Sequence, residues 1–351
     1  MLLLKKPESP PIYVLGVGSI GTYVAHGLLK SNETQNVVLI MRESKKVFNF
    51  KANGSKLGVS RQRHSIFPGE PVIETDYAHG FEACTGKDML RTMEDIQFLI
   101  VCTKAHQTME ALNQILERIG PETTILFLQN GMGLISKLLR KFWPIPSLRP
   151  TILCGINTHG ITRQAEKGEF QVQLRGPGTI QIAEIPRLDL SVERFSELYI
   201  FIRLLENSSS LAVSHVGLDE FTIAQVKKMV ANCCINPITA ILGEFNGSMS
   251  SPTIQPTVKN IIGEVVKVLN CLPEVASRLS RFQKLELLDE DALQMSVMNL
   301  ADKTASNQSS MFADIELGRE TEISFLNHYI CEIGKKYSID TPVNKLITNI
   351  V

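Results

Sequence analysis

The chain has 351 residues, and its 36 basic side chains balance its 36 acidic ones. This length suits two domains, the 44% hydrophobic content allows an ordinary core, and the zero net charge argues against bulk nucleic-acid binding. No apolar run approaches the roughly 20 residues of a membrane-spanning helix. The seven cysteines include no C-x-x-C pair and the first residues lack a secretory core, so we predict a cytoplasmic protein, with a mitochondrial location as the open alternative.

The first motif is Gly16-Val17-Gly18-Ser19-Ile20-Gly21. It follows a short apolar strand at 12–15 and precedes an amphipathic helix over 22–29, and a second apolar strand follows at 37–40. In a strand–turn–helix setting, G-x-G-x-x-G is the dinucleotide-binding fingerprint, because its glycines allow a tight turn, close approach to a diphosphate and close helix–strand packing. The helix N-terminus then favours the diphosphate. All six residues are therefore predicted to bind a dinucleotide cofactor.

The end of the second strand selects the cofactor. Arg42 stands where NAD enzymes usually place an acidic residue for the ribose 2′-hydroxyl. A guanidinium suits a 2′-phosphate, which it can bind through two parallel hydrogen bonds. The sequence therefore predicts NADPH/NADP. Glu43 leaves a ribose-binding, NAD-type alternative open.

Polar residues also follow two later strands. Residues 44–90 are less regular, and we expect a helix near 44–52 and short strands after it. A strand over 96–102 leads to Lys104 and a helix through about 119, and a strand over 123–128 leads to Asn130. Because ligands of open parallel sheets lie outside the carboxyl ends of the strands, Lys104 and Asn130 are predicted to lie at the cofactor.

Residues 150–215 read as further strands, a helix over 191–205 and a last short strand at 211–213. His106 and His159 have no metal-ligand partner at a useful spacing. We therefore predict that both histidines are structural or peripheral, and that the protein holds no metal.

Beyond residue 217 the pattern becomes helical. The fold class predicted is α/β, with a Rossmann-type NADP-binding domain at 1–216 and an all-helical C-terminal domain at 217–351. Pro237 should interrupt and kink the first long helix and free the carbonyl of Cys233. The expected helices cover 218–242, 254–271, 275–288, 291–301, 303–316 and 320–337.

Lys228, Asn232 and Asn236 form the most informative pattern in this half. Their spacing by four places one cation and two amides on one slanted line of an otherwise apolar helix. Unpaired buried polar groups are costly, so the line must meet partners or a ligand. With the glycine fingerprint, it indicates a reductase in which a lysine of lowered pKa donates a proton.

A second polar cluster includes Asn307 and Ser310, which are three residues apart and share a face of the helix predicted over 303–316. Glu322 follows twelve residues after Ser310. The pattern alone leaves two interpretations equally open. The cluster could contribute to a site, or Asn307 and Ser310 could be exposed while Glu322 caps a helix that starts after Gly318.

In the order and rough spacing of these blocks, the chain resembles the ketopantoate reductase family. The resemblance implies NADPH-dependent reduction of 2-dehydropantoate (ketopantoate) to pantoate, a step toward pantothenate and coenzyme A. It also implies a small 2-oxo acid as substrate and a monomer or homodimer. The blocks that carry it include Gly16–Gly21, residues 103–105, 129–133, 157–160, 228–240, 246–247 and 309–314, and Glu322.

The family's residue roles carry over to matching positions. The resemblance implies that Lys228 is the general acid and that Glu322, also catalytic, holds the substrate hydroxyl. The implied substrate-binding residues are Asn130, Asn232, Asn236, Asn246, Asn307 and Ser310. The implied cofactor-binding residues are the six of the glycine fingerprint with Arg42, Lys104, Asn130 and Glu322. The chain departs from the family in an enlarged stretch at 44–95, which could alter the adenine side of the cofactor site.

The sequence leaves two other functions open. A reductase of another branched 2-oxo acid would keep Lys228 but would not need the Glu322 contact. A non-catalytic descendant, used for binding or assembly, would be expected to lose polar site residues, yet every matched one is present. No nucleic-acid or membrane partner is expected.

Overall fold

A computed structural model of the chain describes residues 10–63, 72–89, 95–164, 168–186 and 192–351. The chain divides into two compact units. The first comprises Met1–Gln129 and Leu138–Val216, and the second comprises Asn130–Lys137 and Gly217–Val351. The second unit thus includes a segment of eight residues that is flanked in the sequence, on both sides, by residues of the first unit.

The strands of the first unit lie in two sheets. They are β1 (Ile12–Leu15), β2 (Val37–Met41), β3 (Lys56–Arg63), β4 (Val72–His79), β5 (Glu82–Thr85), β6 (Phe98–Val101), β7 (Thr124–Phe127), β8 (Thr151–Asn157), β9 (Gly160–Arg163), β10 (Gln171–Gly176), β11 (Ile180–Glu184) and β12 (Val213–His215). The helices up to residue 216 are α1 (Ser19–Ser31), α2 (Ser44–Ala52), α3 (Gly86–Met89), α4 (Ala105–Asn113), α5 (Leu134–Phe142) and α6 (Val192–Glu206), with short 3-10 turns at Leu116–Arg118 and Pro146–Leu148.

The main sheet is a Rossmann-type sheet of eight strands in the order β12-β11-β8-β7-β6-β1-β2-β5. Its neighbours are parallel except that β11 runs antiparallel to β8. Strands β2, β6 and β7 are buried along their whole length, as expected for parallel strands with both faces covered. Because β2, β1 and β6 are parallel neighbours, the residues that follow them meet at one edge of the sheet.

A second sheet of four strands, in the order β4-β3-β10-β9, lies on the other side of α1. Helix α1 is therefore buried all round from Gly21 to Leu29. The prediction of an amphipathic helix there was wrong, because Thr22 and His26 are buried as well. The stretch at 44–95 supplies β3 and β4, which is half of this second sheet.

The helix expected through residue 119 and the strand expected at 211–213 have other boundaries in the structure. The helix expected through residue 119 ends at Asn113 and is followed by a 3-10 turn. The strand expected at 211–213 begins only at Val213, because Ala212 has a positive φ of 45° and Leu211 is buried in a turn closed by its hydrogen bond to Ser208. The apolar run at 211–213 was therefore predicted as a strand although it begins in a turn.

The second unit is helical and has its own apolar core. Its elements are α7 (Leu218–Leu242), α8 (Gln255–Asn270), α9 (Pro273–Arg278), α10 (Arg281–Leu287), α11 (Glu290–Lys303), α12 (Ser310–Glu316), α13 (Asn327–Lys336) and α14 (Pro342–Ile350), with 3-10 turns at Asn246–Ser250 and Ile323–Phe325. The predicted fold class is confirmed, while α14 was not predicted and the helix expected over 275–288 is two helices. Among the described residues, none of the helices is both long and apolar enough to cross a membrane.

The interruption of helix α7 expected at Pro237 was wrong. The helix continues through this proline to Leu242, and Gly243, whose backbone is left-handed (φ 67°), is its C-cap. Pro237 still frees the carbonyl of Cys233, but a side chain of another helix replaces the missing N–H: Asn327 donates to that carbonyl at 2.9 Å. The helix therefore needs no break to satisfy its backbone.

The helix predicted over 303–316 was wrong in its first half. Helix α11 ends at Lys303, and α12 begins only at Ser310. The hydroxyl of Ser309 accepts a hydrogen bond from the Phe312 N–H at 3.2 Å, which makes Ser309 the N-cap and starts a new helix there. Asn307 therefore lies outside a helix and does not share a helical face with Ser310.

Candidate active site

The glycine turn after β1 has the geometry that a dinucleotide diphosphate needs. Gly16 adopts a φ of +95°, and a Cβ on it would lie 2.7 Å from Thr103. A Cβ on Gly21 would collide with the carbonyl oxygen of Gly16. Gly18, the N-cap of α1, makes no side-chain cap, and the first turn of α1 carries no acidic residue. The N–H groups at this helix N-terminus therefore meet no carboxylate from the first turn of α1, which fits a bound diphosphate.

The other cofactor candidates of the first unit follow strands adjacent to β1. Arg42 comes directly after β2 and is exposed, as a solvent-facing 2′-phosphate would require. Lys104 follows β6 as the half-buried N-cap residue of α4, and its carbonyl accepts a hydrogen bond from the Thr108 hydroxyl at 3.0 Å. The sheet order β2-β1-β6 thus brings the residues that follow these strands to the edge that carries the glycine turn.

Sequence reasoning missed Arg163, the last residue of β9. Its Nη2 donates a hydrogen bond of 3.1 Å to the carbonyl of Val17, inside the glycine turn. The local sequence carried no signal for this contact, because β9 belongs to the second sheet and lies 146 residues further along the chain.

The polar line on α7 is present in the second unit. Lys228 and Asn232 are half-buried and Asn236 is buried, and between them Met229, Val230 and their neighbours belong to the apolar core. Burial lowers the pKa of Lys228 to about 8, and the nearby Glu322 carboxylate opposes this effect. The result is an ammonium group that gives up its proton more readily than an ordinary lysine.

Glu322 is buried and does not cap a helix with its side chain. It occupies the N-cap position of the 3-10 turn Ile323–Phe325 but makes no side-chain cap hydrogen bond, so the capping interpretation was wrong. Its Oε2 instead accepts a hydrogen bond of 3.3 Å from Nδ2 of Asn130. Asn130, Glu322 and Lys228 therefore form one polar group within the second unit.

The position of Asn130 depends on the segment 130–137. The Met132 N–H donates to the Phe325 carbonyl at 3.1 Å, and Met132 is buried in the core of the second unit. Gly131 has a φ of +84°, and a Cβ there would collide with the Phe325 carbonyl oxygen. These contacts attach Asn130 to the segment that carries Glu322.

Asn236 lies where α7 meets the start of α12. The hydroxyl of Thr239 donates to Oγ of Ser309 at 2.7 Å and also contacts the carbonyl of Asn236 at 3.2 Å. Ser309 is buried, whereas Ser310, the residue proposed from the sequence, is exposed. Sequence reasoning overlooked Ser309 and Thr239, although a serine just before an apolar helix is an N-cap signal.

Asn246 is buried at the start of the 3-10 turn Asn246–Ser250. Its Nδ2 donates to Oγ1 of Thr304 at 2.9 Å, and its backbone N–H donates to the carbonyl of Asn307 at 3.0 Å. Asn307 is half-buried in the connection between α11 and α12. The structure thus joins Asn246 and Asn307, and it places every substrate candidate in the second unit.

The structural role predicted for His159 is confirmed. Its Nδ1 accepts a hydrogen bond from the Gly178 N–H at 2.9 Å, so Nε2 carries the proton and donates to the Leu211 carbonyl at 2.9 Å. Burial also lowers the pKa of this imidazole, which favours its neutral form. Within the described part of the chain, no group of three or more His, Cys, Asp or Glu side chains could hold a metal ion.

Comparison with known proteins gives matches along most of the chain. The family model described as ketopantoate reductase PanE/ApbA matches residues 12–187, and the model of its C-terminal region matches residues 220–351. A probable 2-dehydropantoate 2-reductase of Schizosaccharomyces pombe is 30% identical over 345 residues, which cover 95% of this chain and 93% of the relative.

Solved structures match over a similar share of the chain. The crystal structure of a probable 2-dehydropantoate 2-reductase from Bacillus subtilis is 25% identical, has a TM-score of 0.68, and the match covers 97% of this chain and 98% of that one. A D-mandelate dehydrogenase solved with NADH and anilino(oxo)acetate is 22% identical with a TM-score of 0.73, covering 97% and 96%. At that identity the second likeness shows the fold alone.

Proposed function

The chain belongs to the ketopantoate reductase PanE/ApbA family of oxidoreductases, and we propose that it reduces 2-dehydropantoate to pantoate with NADPH, using Lys228 as the proton donor. Relatives named 2-dehydropantoate 2-reductase support the substrate and the place of the product on the route to pantothenate and coenzyme A. The observation that carries the proposal is the half-buried Lys228, whose pKa is lowered to about 8 beside the Glu322 carboxylate.

The chemistry follows from these two side chains. Bound NADPH supplies the hydride that adds to the keto carbon of the substrate. Negative charge grows on the keto oxygen as the carbonyl becomes an alcohol, and Lys228 stabilises this charge and delivers the proton. A pKa of about 8 suits this role, because the amine is mostly protonated at neutral pH and yet loses its proton easily.

Glu322 and the amides select the substrate. The Glu322 carboxylate accepts a hydrogen bond from the substrate hydroxyl, and its contact with Asn130 keeps it in place. The amide and hydroxyl groups bind the substrate carboxylate without a buried cation. We assign this second role to Asn232, Asn236, Asn246, Asn307 and Ser310.

The cofactor assignment rests on Arg42. The fold does not choose between the two nicotinamide cofactors, since the D-mandelate dehydrogenase of the same fold was solved with NADH. An exposed arginine after β2 can bind the 2′-phosphate, so Arg42→Ala should weaken NADPH binding and leave NADH binding unchanged. Arg140→Ala, at an exposed arginine of α5, is the control. Unchanged NADPH affinity in Arg42→Ala would show that Arg42 does not bind the 2′-phosphate.

The proton donor is tested by following NADPH oxidation with a panel of 2-oxo acids. Lys228→Ala should lower turnover with 2-dehydropantoate by about 10²–10⁴-fold, the usual size of an acid–base contribution, while the cofactor still binds. Lys227→Ala is the matched control, because Lys227 is the exposed neighbour on the same helix. An unchanged turnover number in Lys228→Ala would eliminate Lys228 as the donor.

The same panel separates the other functions. A reductase of another branched 2-oxo acid would act as well on 2-oxoisovalerate, which lacks the hydroxyl that Glu322 holds. A non-catalytic descendant would neither bind NADPH, as read by cofactor fluorescence, nor oxidise it. We further propose a cytoplasmic monomer or homodimer, to be checked by fractionation and by light scattering.

A further inference from the structure

The second sheet turns the side chain of Arg163 toward α1. In the antiparallel pair of β9 and β10, Arg163 lies opposite Val172 and Ile161 lies opposite Leu174. Directly opposite residues share a face of the sheet, and alternate residues along a strand do so too. Val172 is buried in the core that contains α1, and Ile161 packs against that core. Arg163 is therefore on the face that covers α1.

On that face Arg163 reaches the N-terminus of α1. Its Nη2 donates to the Val17 carbonyl at 3.1 Å, and a Cβ on Gly18 would lie 4.0 Å from the same nitrogen. The guanidinium thus lies beside the N-cap residue of a 13-residue helix whose first turn contains no acidic side chain. Its positive charge adds to the helix dipole at the place where the glycine turn exposes its N–H groups.

We propose that Arg163 binds the diphosphate of the dinucleotide cofactor, a role that rests on the proposed function of this turn. A guanidinium has five N–H donors in a planar fork. The hydrogen bond to Val17 orients this fork along the turn and brings the charge to the diphosphate position. The contact does not involve the 2′-phosphate, so Arg163 serves NADPH and NADH equally.

The stretch at 44–95 has a role in placing Arg163. Among the described strands, β9 lies at an edge of the second sheet and pairs with β10, which in turn pairs with β3. The stretch supplies β3 and β4, and therefore supports the strand that carries the arginine. A loop in place of this sheet would not hold a long, flexible side chain at the turn.

The experiment measures the dissociation constants of NADPH and NADH by cofactor fluorescence at low and high NaCl. Arg163→Gln should weaken both by the same factor, about tenfold, the effect of losing one charged hydrogen-bond donor. The loss should shrink at high NaCl, because salt already screens the charge that the variant lacks. Arg163→Lys should recover part of the affinity. Arg175→Gln, at an exposed arginine of β10, should change neither constant.

Two results overturn the inference while the wild type still binds cofactor. Affinities of Arg163→Gln within twofold of the wild type would show that the guanidinium does not bind the diphosphate. An equal loss at low and high NaCl would show that Arg163 acts only by holding the Val17 carbonyl. A wild-type protein that binds neither cofactor overturns this inference and the proposed function together.

Discussion

The side-chain amide of Asn327 donates one hydrogen bond to the carbonyl of Cys233 and another to Oδ1 of Asn344, each at 2.9 Å. The first acceptor is the carbonyl that Pro237 leaves without its helical partner. Asn344 in turn donates to the buried carboxylate of Glu264 at 2.7 Å. A chain of buried polar groups therefore runs from α8, through α14 and α13, to the middle of α7, the helix that carries Lys228.

Asn327→Ala should destabilise the protein by about 1–3 kcal/mol, because it leaves the Cys233 carbonyl buried without a donor. The cost should be smaller in a Pro237→Ala background, where residue 237 regains an N–H for that carbonyl. Urea unfolding of the two single variants and the double variant measures this coupling. Asn49→Ala, at an exposed asparagine of α2, is the control. Strictly additive costs would contradict the assigned partnership.

Glu322→Gln should move the alkaline limb of the rate profile to lower pH. Lys228 must be protonated to act, so the rate of the wild type should fall as the pH rises through about 8. The Glu322 carboxylate raises the pKa of Lys228, and its removal lets that pKa fall further. The profile of kcat against pH measures the shift. Glu332→Gln, which removes an exposed partner of Lys137, should leave the midpoint in place. A midpoint that stays or rises in Glu322→Gln speaks against this coupling.

Gly131→Ala should be more destabilising than Gly318→Ala. Both glycines have positive φ, so each alanine meets backbone strain of about 1 kcal/mol. At Gly318 nothing lies within 4 Å of the added Cβ, whereas at Gly131 it meets the Phe325 carbonyl. Gly131→Ala should also lower turnover, since the segment that holds Asn130 against Glu322 must shift. Urea unfolding and steady-state rates test both effects, and equal costs for the two variants would argue against the collision.

His26 should make the protein less stable in mild acid. Burial lowers the pKa of this imidazole to about 4 from its ordinary 6.5. Between these values the unfolded chain binds more protons than the folded one, so stability is lost as the pH falls from 6.5 toward 4. The melting temperature of His26→Gln should depend less on pH over this window. His328→Gln, at an exposed histidine, should keep the wild-type slope, and a wild-type slope in His26→Gln would exclude this role.

Local sequence patterns were sufficient to predict much of the fold. The order of β1, the glycine turn and α1 follows from an apolar run, three glycines and the start of a helical repeat. Helix α2 lies at the predicted residues 44–52. Errors arose where a short-range feature outweighed the periodicity, as when the Ser309 cap divided the helix expected over 303–316.

In the candidate site, too, some features follow from the sequence and others only from the tertiary structure. The spacing of Lys228, Asn232 and Asn236 needed only the helical repeat, and the sequence alone determined that these side chains form one line. Three contacts join residues that are 192, 146 and 94 positions apart in the sequence: Asn130 with Glu322, Arg163 with Val17, and Asn327 with Cys233. Only the tertiary structure decided them, because a helical or strand repeat determines which way a side chain points, whereas its partner depends on how distant segments pack.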